Sequence, residues 1–201
     1  LTISAINALG SENATFIVNS DGVITVGPAE GDSEGTIVST EDAPFITNNS
    51  GSIVLNDVTI TTLRDHCIVN HDEMEATGCT FVSIGGNGVR GVENFGTATI
   101  EDCHFEGEQG AGGFYNSGSA ATSTLIGCTF VQEGLSETSG LHYTATCVAV
   151  ANNGEIDVYD CSFVAPNYGF YVFSSGGMFN IHSGTYIMTG SNPVFMDGTK
   201  N

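Results

Sequence analysis

The stretch Gly96-Thr97-Ala98-Thr99-Ile100-Glu101-Asp102-Cys103-His104-Phe105 contains the pattern that decides the fold. From Ile100 onward it reads as an apolar residue, two turn-forming residues, a small residue, a polar residue and an aromatic ring. Closely similar six-residue units occupy 55–60, 76–81, 100–105, 125–130, 158–163 and 181–186. Successive units lie 21, 24, 25, 33 and 23 residues apart. A period of about 20–30 residues is typical of a solenoid, in which each repeat forms one coil.

The charge of the chain restricts its partners. Among 201 residues there are 23 acidic and only 3 basic side chains, which give a formal net charge of −20. Such a surface cannot replace the counterions of a phosphate backbone, so we predict no nucleic-acid partner. No apolar run approaches the roughly 20 residues of a membrane-spanning helix, and we predict no direct membrane insertion. The chain begins with Leu1 rather than Met, and we expect a processed product or part of a longer protein.

Two rows of corner residues accompany the repeat. The first is a ladder of polar residues about nine positions before each small residue, with one copy at twelve. Its predicted members are Asn49, Asn70, Asn94, Asn116 and Asn152. Asparagine tolerates the left-handed backbone of a sharp corner, and stacked amides can hydrogen-bond from coil to coil. A second left-handed corner is predicted one residue before each small residue, at Asp57, Gly78, Asp102, Gly127 and Asp160.

These features predict an all-β chain that winds as a parallel β-helix, a single solenoid of about seven coils. Each coil contains three short strands, separated by the asparagine corner, the Asp/Gly corner and a loop of variable length. Residues 1–44 match the repeat poorly and are interpreted as one irregular first coil. Residues 45–201 are interpreted as the repeats of one continuous domain.

The corner asparagines and the Cys/aromatic columns resemble the right-handed parallel β-helix superfamily, which includes pectate-lyase-like enzymes, phage tailspikes and secreted adhesins. The resemblance extends over about residues 45–190. It implies right-handed coils and, in its adhesin-like form, a secreted or cell-surface location. It does not imply one activity, because this architecture carries many unrelated sites.

The six cysteines are predicted to be buried free thiols that act as small hydrophobic side chains. Four of them form one column in successive coils, at Cys79, Cys103, Cys128 and Cys161. In-register parallel strands lie about 4.8 Å apart, farther than the roughly 3.8 Å that separates the Cβ atoms of a disulfide. The even number of cysteines would also suit a disulfide framework in an exported protein.

Enzymatic activity is not predicted. The β-helix lyases and hydrolases combine outward carboxylates with Arg or Lys, and the three cations here, Arg64, Arg90 and Lys200, do not share a column. The strongest catalytic alternative joins the triplets 64–66 and 71–73, which together offer two histidines and three carboxylates for acid–base chemistry or cation binding. No acidic loop has a recognisable metal-binding spacing, and we predict no cofactor and no metal.

Ligand binding is predicted at the longest repeat, between Cys128 and Cys161, because solenoid insertions lie on one edge and often carry binding. The candidate ligand-binding residues are His142, Tyr143 and Tyr168, whose rings suit stacking on sugars. The alternative is that most tyrosines pack against the coil.

Three functions remain open at this point. The first is a non-enzymatic extracellular or cell-surface protein, structural or adhesive, that belongs to a larger chain or assembly and binds a glycan or protein. The second is a subunit of an extracellular filament in which copies stack head to tail through unpaired strand edges. The third is a polysaccharide lyase or glycoside hydrolase, since two carboxylates suffice for glycoside hydrolysis.

Overall fold

A computed structural model describes residues 6–8, 15–28, 31–86, 88–108, 111–132, 146–166, 168–188 and 194–196. All regular structure in these ranges is β-strand. In chain order the strands are β1 (Ile6–Ala8), β2 (Ile17–Asn19), β3 (Val23–Val26), β4 (Gly35–Ser39), β5 (Ile46–Asn48), β6 (Ser52–Asn56), β7 (Val58–Thr62), β8 (Ile68–Asn70), β9 (Glu73–Thr77), β10 (Thr80–Ser83), β11 (Arg90–Asn94), β12 (Thr97–Glu101), β13 (His104–Gly107), β14 (Gly112–Ser117), β15 (Thr122–Ile126), β16 (Thr129–Gln132), β17 (Thr146–Ala151), β18 (Gly154–Tyr159), β19 (Cys161–Ala165), β20 (Tyr168–Val172), β21 (Gly177–Ile181), β22 (Gly184–Met188) and β23 (Val194–Met196).

The strands form three parallel sheets. Every third strand joins the same sheet: β1, β4 and so on to β22 form sheet A, β2 to β23 form sheet B, and β3 to β21 form sheet C. Each strand therefore pairs with the strand one coil earlier and one coil later, as in β7, which pairs with both β4 and β10. This arrangement confirms the predicted parallel β-solenoid with three strands per coil. The described strands before residue 45 lie in the same three sheets as those that follow.

The core is a narrow column of inward side chains that stack from coil to coil. In sheet A the inward column runs Ile37, Ile60, Phe81, Phe105, Phe130, Phe163 and Tyr186. Phe130 lies between Phe105 and Phe163, with ring centroids 4.6 and 5.0 Å away and rings nearly parallel. Each ring is therefore held by the coil above and the coil below, which gives the repeat its fixed register.

The Asp/Gly corner is confirmed at every predicted position. The backbone φ angle is positive at each of them, between 49° and 64°. These positions are Asp57, Gly78, Asp102, Gly127 and Asp160. Glycine takes this conformation without steric cost, and aspartate tolerates it better than most residues do, which explains the composition of the corner.

The asparagine ladder is present, with two corrections. Amide hydrogen bonds of 2.7–2.9 Å run from each Nδ2 to the next Oδ1 along Asn19, Asn48, Asn70, Asn94 and Asn116. The prediction of Asn49 is wrong: its neighbour Asn48 pairs with Asn70, and Asn49 is exposed. The prediction of Asn152 is also wrong, because Val150 is the residue in register with Asn116.

The spacing of the corner explains both errors. Sheet C begins three residues after Asn70 and after Asn94, but four residues after Asn48. In the coil of β17 the residue in the ladder position, Val150, precedes β18 by four residues and Cys161 by eleven. Counting back nine positions from the small residue therefore identifies the ladder only where the corner has its shortest form, and Asn116, which precedes β15 by six residues, is reached only by the longer spacing of twelve. The ladder residues also differ from the prediction in backbone: they lie in strands rather than in a left-handed corner.

All six cysteines are buried and unpaired, as predicted. The column of Cys79, Cys103, Cys128 and Cys161 is in register, and the Cys79 amide donates to the Cys103 sulfur at 3.3 Å. Burial raises the pKa of Cys67 to about 11. A hydrogen bond to Cys79, together with burial, raises the pKa of Cys103 as well. Cys67 and Cys103 are therefore protonated at neutral pH and serve as core side chains.

Candidate interaction surfaces

The solenoid presents three outward sheet faces and two ends. On sheet A the outward residues alternate with the buried ones, so that seven strands from β4 to β22 each contribute two. We name these fourteen positions the A face. They form one row of Thr36, Thr59, Thr80, His104, Thr129, Ser162 and Thr185, and a second row of Val38, Thr61, Val82, Glu106, Val131, Val164 and Ile187.

The A face carries very little charge. Among its fourteen positions Glu106 is the one carboxylate, and neither row contains Lys or Arg. The Glu34 carboxylate also reaches this face, where it accepts a hydrogen bond of 2.6 Å from Thr59. Sheet C has two corresponding outward rows, with two residues from each of the seven strands from β3 to β21. These fourteen positions include four carboxylates, Glu73, Glu75, Glu155 and Asp157. Both faces belong to parallel strands of the same solenoid, so strand propensity alone does not account for the difference. The acidity of the chain is thus unevenly distributed around its axis.

The outward face of sheet B carries an aromatic cluster. Ala149, Tyr168 and Tyr171 are buried there, with Tyr115 and Phe173 packed against them. Tyr168 and Tyr171 lie with ring centroids 6.1 Å apart and nearly edge to face. Of the predicted ligand-binding residues, Tyr168 therefore lies in this cluster with little of its surface exposed. His142 and Tyr143 lie outside the described residues.

Three polar side chains, His66, Glu93 and Arg90, lie beside the aromatic cluster. His66 is partly buried, and its Nε2 lies 2.9 Å from a carboxylate oxygen of Glu93. Its Nδ1 accepts a hydrogen bond of 3.0 Å from the Arg90 backbone amide, which fixes the ring and places the proton of the neutral imidazole on Nε2. The side chain of Arg90 is buried and lies 5.7 Å from the centre of the Tyr115 ring. This arrangement anchors the loop before β8 to the next coil.

The two triplets of the catalytic alternative make separate contacts. His66 bonds to Glu93, whereas His71 stacks on Phe95 with centroids 4.9 Å apart. Asp72 accepts a hydrogen bond of 2.7 Å from the Gly51 amide, which stabilises the corner of the preceding coil. Each of these side chains therefore has a contact that explains it structurally.

Sheet C has a shallow groove lined by threonines and carboxylates. Its floor and walls include Thr97, Thr99, Thr122 and Thr124, with Glu155 and Asp157 at one side. Asp157 lies 2.9 Å from His182, and the His182 ring stacks on Tyr159 with centroids 4.2 Å apart. Glu155 accepts a hydrogen bond from Asn180. Strands of adjacent coils thus hold these carboxylates in place.

In the last described coil, inward side chains of sheets A and C are partly exposed. Tyr186 continues the stack of Phe163 at a centroid distance of 5.2 Å, yet it is 38% exposed. Ile181 is in register with Val158 and is 45% exposed, whereas Val158 is completely buried. At the other end, Phe16 stacks on the buried Phe45 and is itself about half exposed. Inward positions of the first and last described coils therefore have exposed apolar surface.

The described residues contain no group of three or more metal-ligating side chains arranged to hold an ion. In the same ranges there is no helix whose length and apolar character would let it cross a membrane.

Comparisons with known proteins found no matching family model, no matching curated protein and no matching solved structure.

Proposed function

We propose that this chain is a non-enzymatic structural and adhesive segment of an extracellular or cell-surface β-solenoid, whose coils continue onto further coils along the axis. It acts as a rod that extends and positions binding surfaces. Stacked at about 4.8 Å per strand, seven coils give a segment roughly 34 Å long.

The observation that carries the proposal is the uncovered core of the last coil. In the coil before it, Val158 and Phe163 are fully buried, because the next coil covers them. The equivalent residues Ile181 and Tyr186 have the same inward direction but remain substantially exposed. Solvation of such an apolar end costs free energy, and a further coil in the same register would remove that cost.

A second candidate function is a filament formed by copies of this chain stacked head to tail. It is favoured by the two ends, since Phe16 beside sheet B in the first described coils and Tyr186 of sheet A in the last are both stacked on one side and partly exposed on the other. Unpaired edges of parallel strands at the two ends are complementary in direction, so that one copy can add to the next and the contact repeats without closing.

The test is an end variant compared with a matched variant on the side of the solenoid. Ile181→Arg places a charge on the uncovered core, whereas Ile126→Arg places the same charge on the outward side of sheet C in β15. Sedimentation velocity and negative-stain electron microscopy of the wild type should show end-to-end assemblies with an axial repeat of roughly 34 Å. Ile181→Arg should abolish them and Ile126→Arg should retain them.

Wild-type particles that stay monomeric over the whole concentration range would remove the filament. The adhesive role is tested separately by a glycan array and by binding to intact cells. Absence of binding in both, at high protein concentration, would contradict it. Release of reducing sugars or unsaturated products from polysaccharides would instead favour the lyase or hydrolase alternative.

A further inference from the structure

The A face is a flat surface formed by two straight rows, one mainly of hydroxyl groups and one mainly of branched apolar groups. The rows are straight because the sheet pairing is in register from β4 to β22, without a break between consecutive strands. In the second row six of the seven side chains are Val, Ile or Thr, and the seventh is Glu106. Such a surface can pack against another sheet at the usual distance of about 10 Å.

From this surface we infer that two copies of the chain associate side by side through their A faces. The net charge of −20 makes most approaches between copies repulsive. The A face has one carboxylate in its fourteen positions, with the Glu34 carboxylate bonded to Thr59 near one end, whereas the equivalent face of sheet C would bring four carboxylates from each copy together. Charge therefore selects the A face over the sheet C face.

The central coil of the A face fixes the orientation of the pair. His104 and Glu106 belong to the fourth of the seven strands, and the outward side chains of the three strands on each side are themselves uncharged, although the Glu34 carboxylate bonds to Thr59 of β7. A twofold axis parallel to the solenoid axis reverses the strand direction, so that the first row of one copy faces the second row of its partner. His104 then lies opposite Glu106 in both halves of the interface. A twofold axis along the strands would instead place Glu106 opposite Glu106.

The size of the face predicts a weak and reversible dimer. Seven strands at about 4.8 Å and a width of roughly 14 Å give about 450 Å² from each copy, or about 900 Å² in total. This is close to the lower limit of about 1,000 Å² for a specific interface. We expect dissociation constants of roughly 10 to 1,000 µM, with tighter association as added salt screens the repulsion between two acidic chains.

The test uses paired charge variants and sedimentation equilibrium. Val82→Glu with Val131→Glu adds two carboxylates to the A face on either side of the central coil. Thr99→Glu with Thr124→Glu adds the same charge to the outward side of sheet C. The A-face variant should weaken dimerisation at least tenfold, and the sheet C variant should change it less than threefold. If the double A-face variant does not fold, Thr129→Glu alone serves, because that side chain is already partly exposed.

The orientation has its own test. His104→Glu should weaken the dimer, because a carboxylate then faces Glu106, and the exchange His104→Glu with Glu106→His should restore it. A wild type that remains monomeric at about 1 mM in moderate salt would overturn the proposal. Equal effects of the two double variants would overturn it too. Ile181→Arg leaves the A face intact and should retain the side-by-side dimer, which separates this contact from end-to-end assembly.

Discussion

Adjacent asparagines allow the ladder to be tested by two almost identical substitutions. Asn48 is completely buried, and its Nδ2 donates to the Gly51 carbonyl, the Asn70 Oδ1 and the Glu73 carbonyl. Its own Oδ1 accepts from Asn19 at 2.9 Å. Because Nδ2 has two hydrogens, one of them is shared between acceptors, and Asn48→Ala removes about three hydrogen bonds at about 1 kcal/mol each and also leaves buried polar groups without their partner. We expect a loss of about 4 kcal/mol in the free energy of unfolding.

The control is Asn49→Ala. Its side chain is exposed, and the hydrogen bond that it contributes to the fold comes from its backbone amide to the Asn19 carbonyl, which alanine retains. The expected loss is therefore within about 0.5 kcal/mol. Urea denaturation followed by far-ultraviolet circular dichroism measures both variants under the same conditions. Equal losses for the two, or a larger loss for Asn49→Ala, would refute the assignment of the ladder to Asn48.

Two further predictions concern the core. Phe130→Ala removes a ring that is stacked on both sides and should lower the free energy of unfolding by about 3–5 kcal/mol. Tyr186→Ala removes a partly exposed ring that is stacked on one side and should lower it by less than about 2 kcal/mol. Thermal and urea denaturation measure both losses. Because the pKa of Cys67 is raised in the folded protein, the unfolded chain loses this proton at a lower pH than the folded protein does. The free energy of unfolding is therefore unaffected by this thiol below about pH 9 and declines as the pH rises toward 11. The contribution is about 2–3 kcal/mol, and Cys67→Ala should reduce this decline between pH 9 and pH 11 by that amount.

The architecture could be predicted because its constraints repeat in sequence. A left-handed corner admits few residue types, so Asp and Gly recur one position before each small residue, and every one of these positions has positive φ. The aromatic column follows the same logic, since Phe81, Phe105 and Phe130 each occupy the same point of their coil. Positions with strict steric requirements therefore recur in the sequence at a period that can be recognised.

The surfaces could not be predicted in the same way, because they depend on which residues of different coils become neighbours. His66 and Glu93 are 27 residues apart, with a loop of variable length between them, and no repeat offset relates them. Asn19 was missed for a similar reason, although it ends a short apolar strand just as Asn70 and Asn94 do. The low charge of the A face emerges only when the strands are placed side by side in register.

The position at which the amide ladder ends has a mechanical consequence. From Asn19 to Asn116 successive coils are joined by buried amide side chains, but the next coils have Val150 and Val172 in that place. Under a stretching force along the rod, the first part must break a continuous row of buried side-chain hydrogen bonds as well as sheet pairing. The second part is joined by sheet pairing, apolar packing and less buried side-chain bonds, such as Asn180 to Glu155 and His182 to Asp157. A pulled molecule would therefore unwind from its carboxyl-terminal end first, and the amino-terminal coils would be the last to yield.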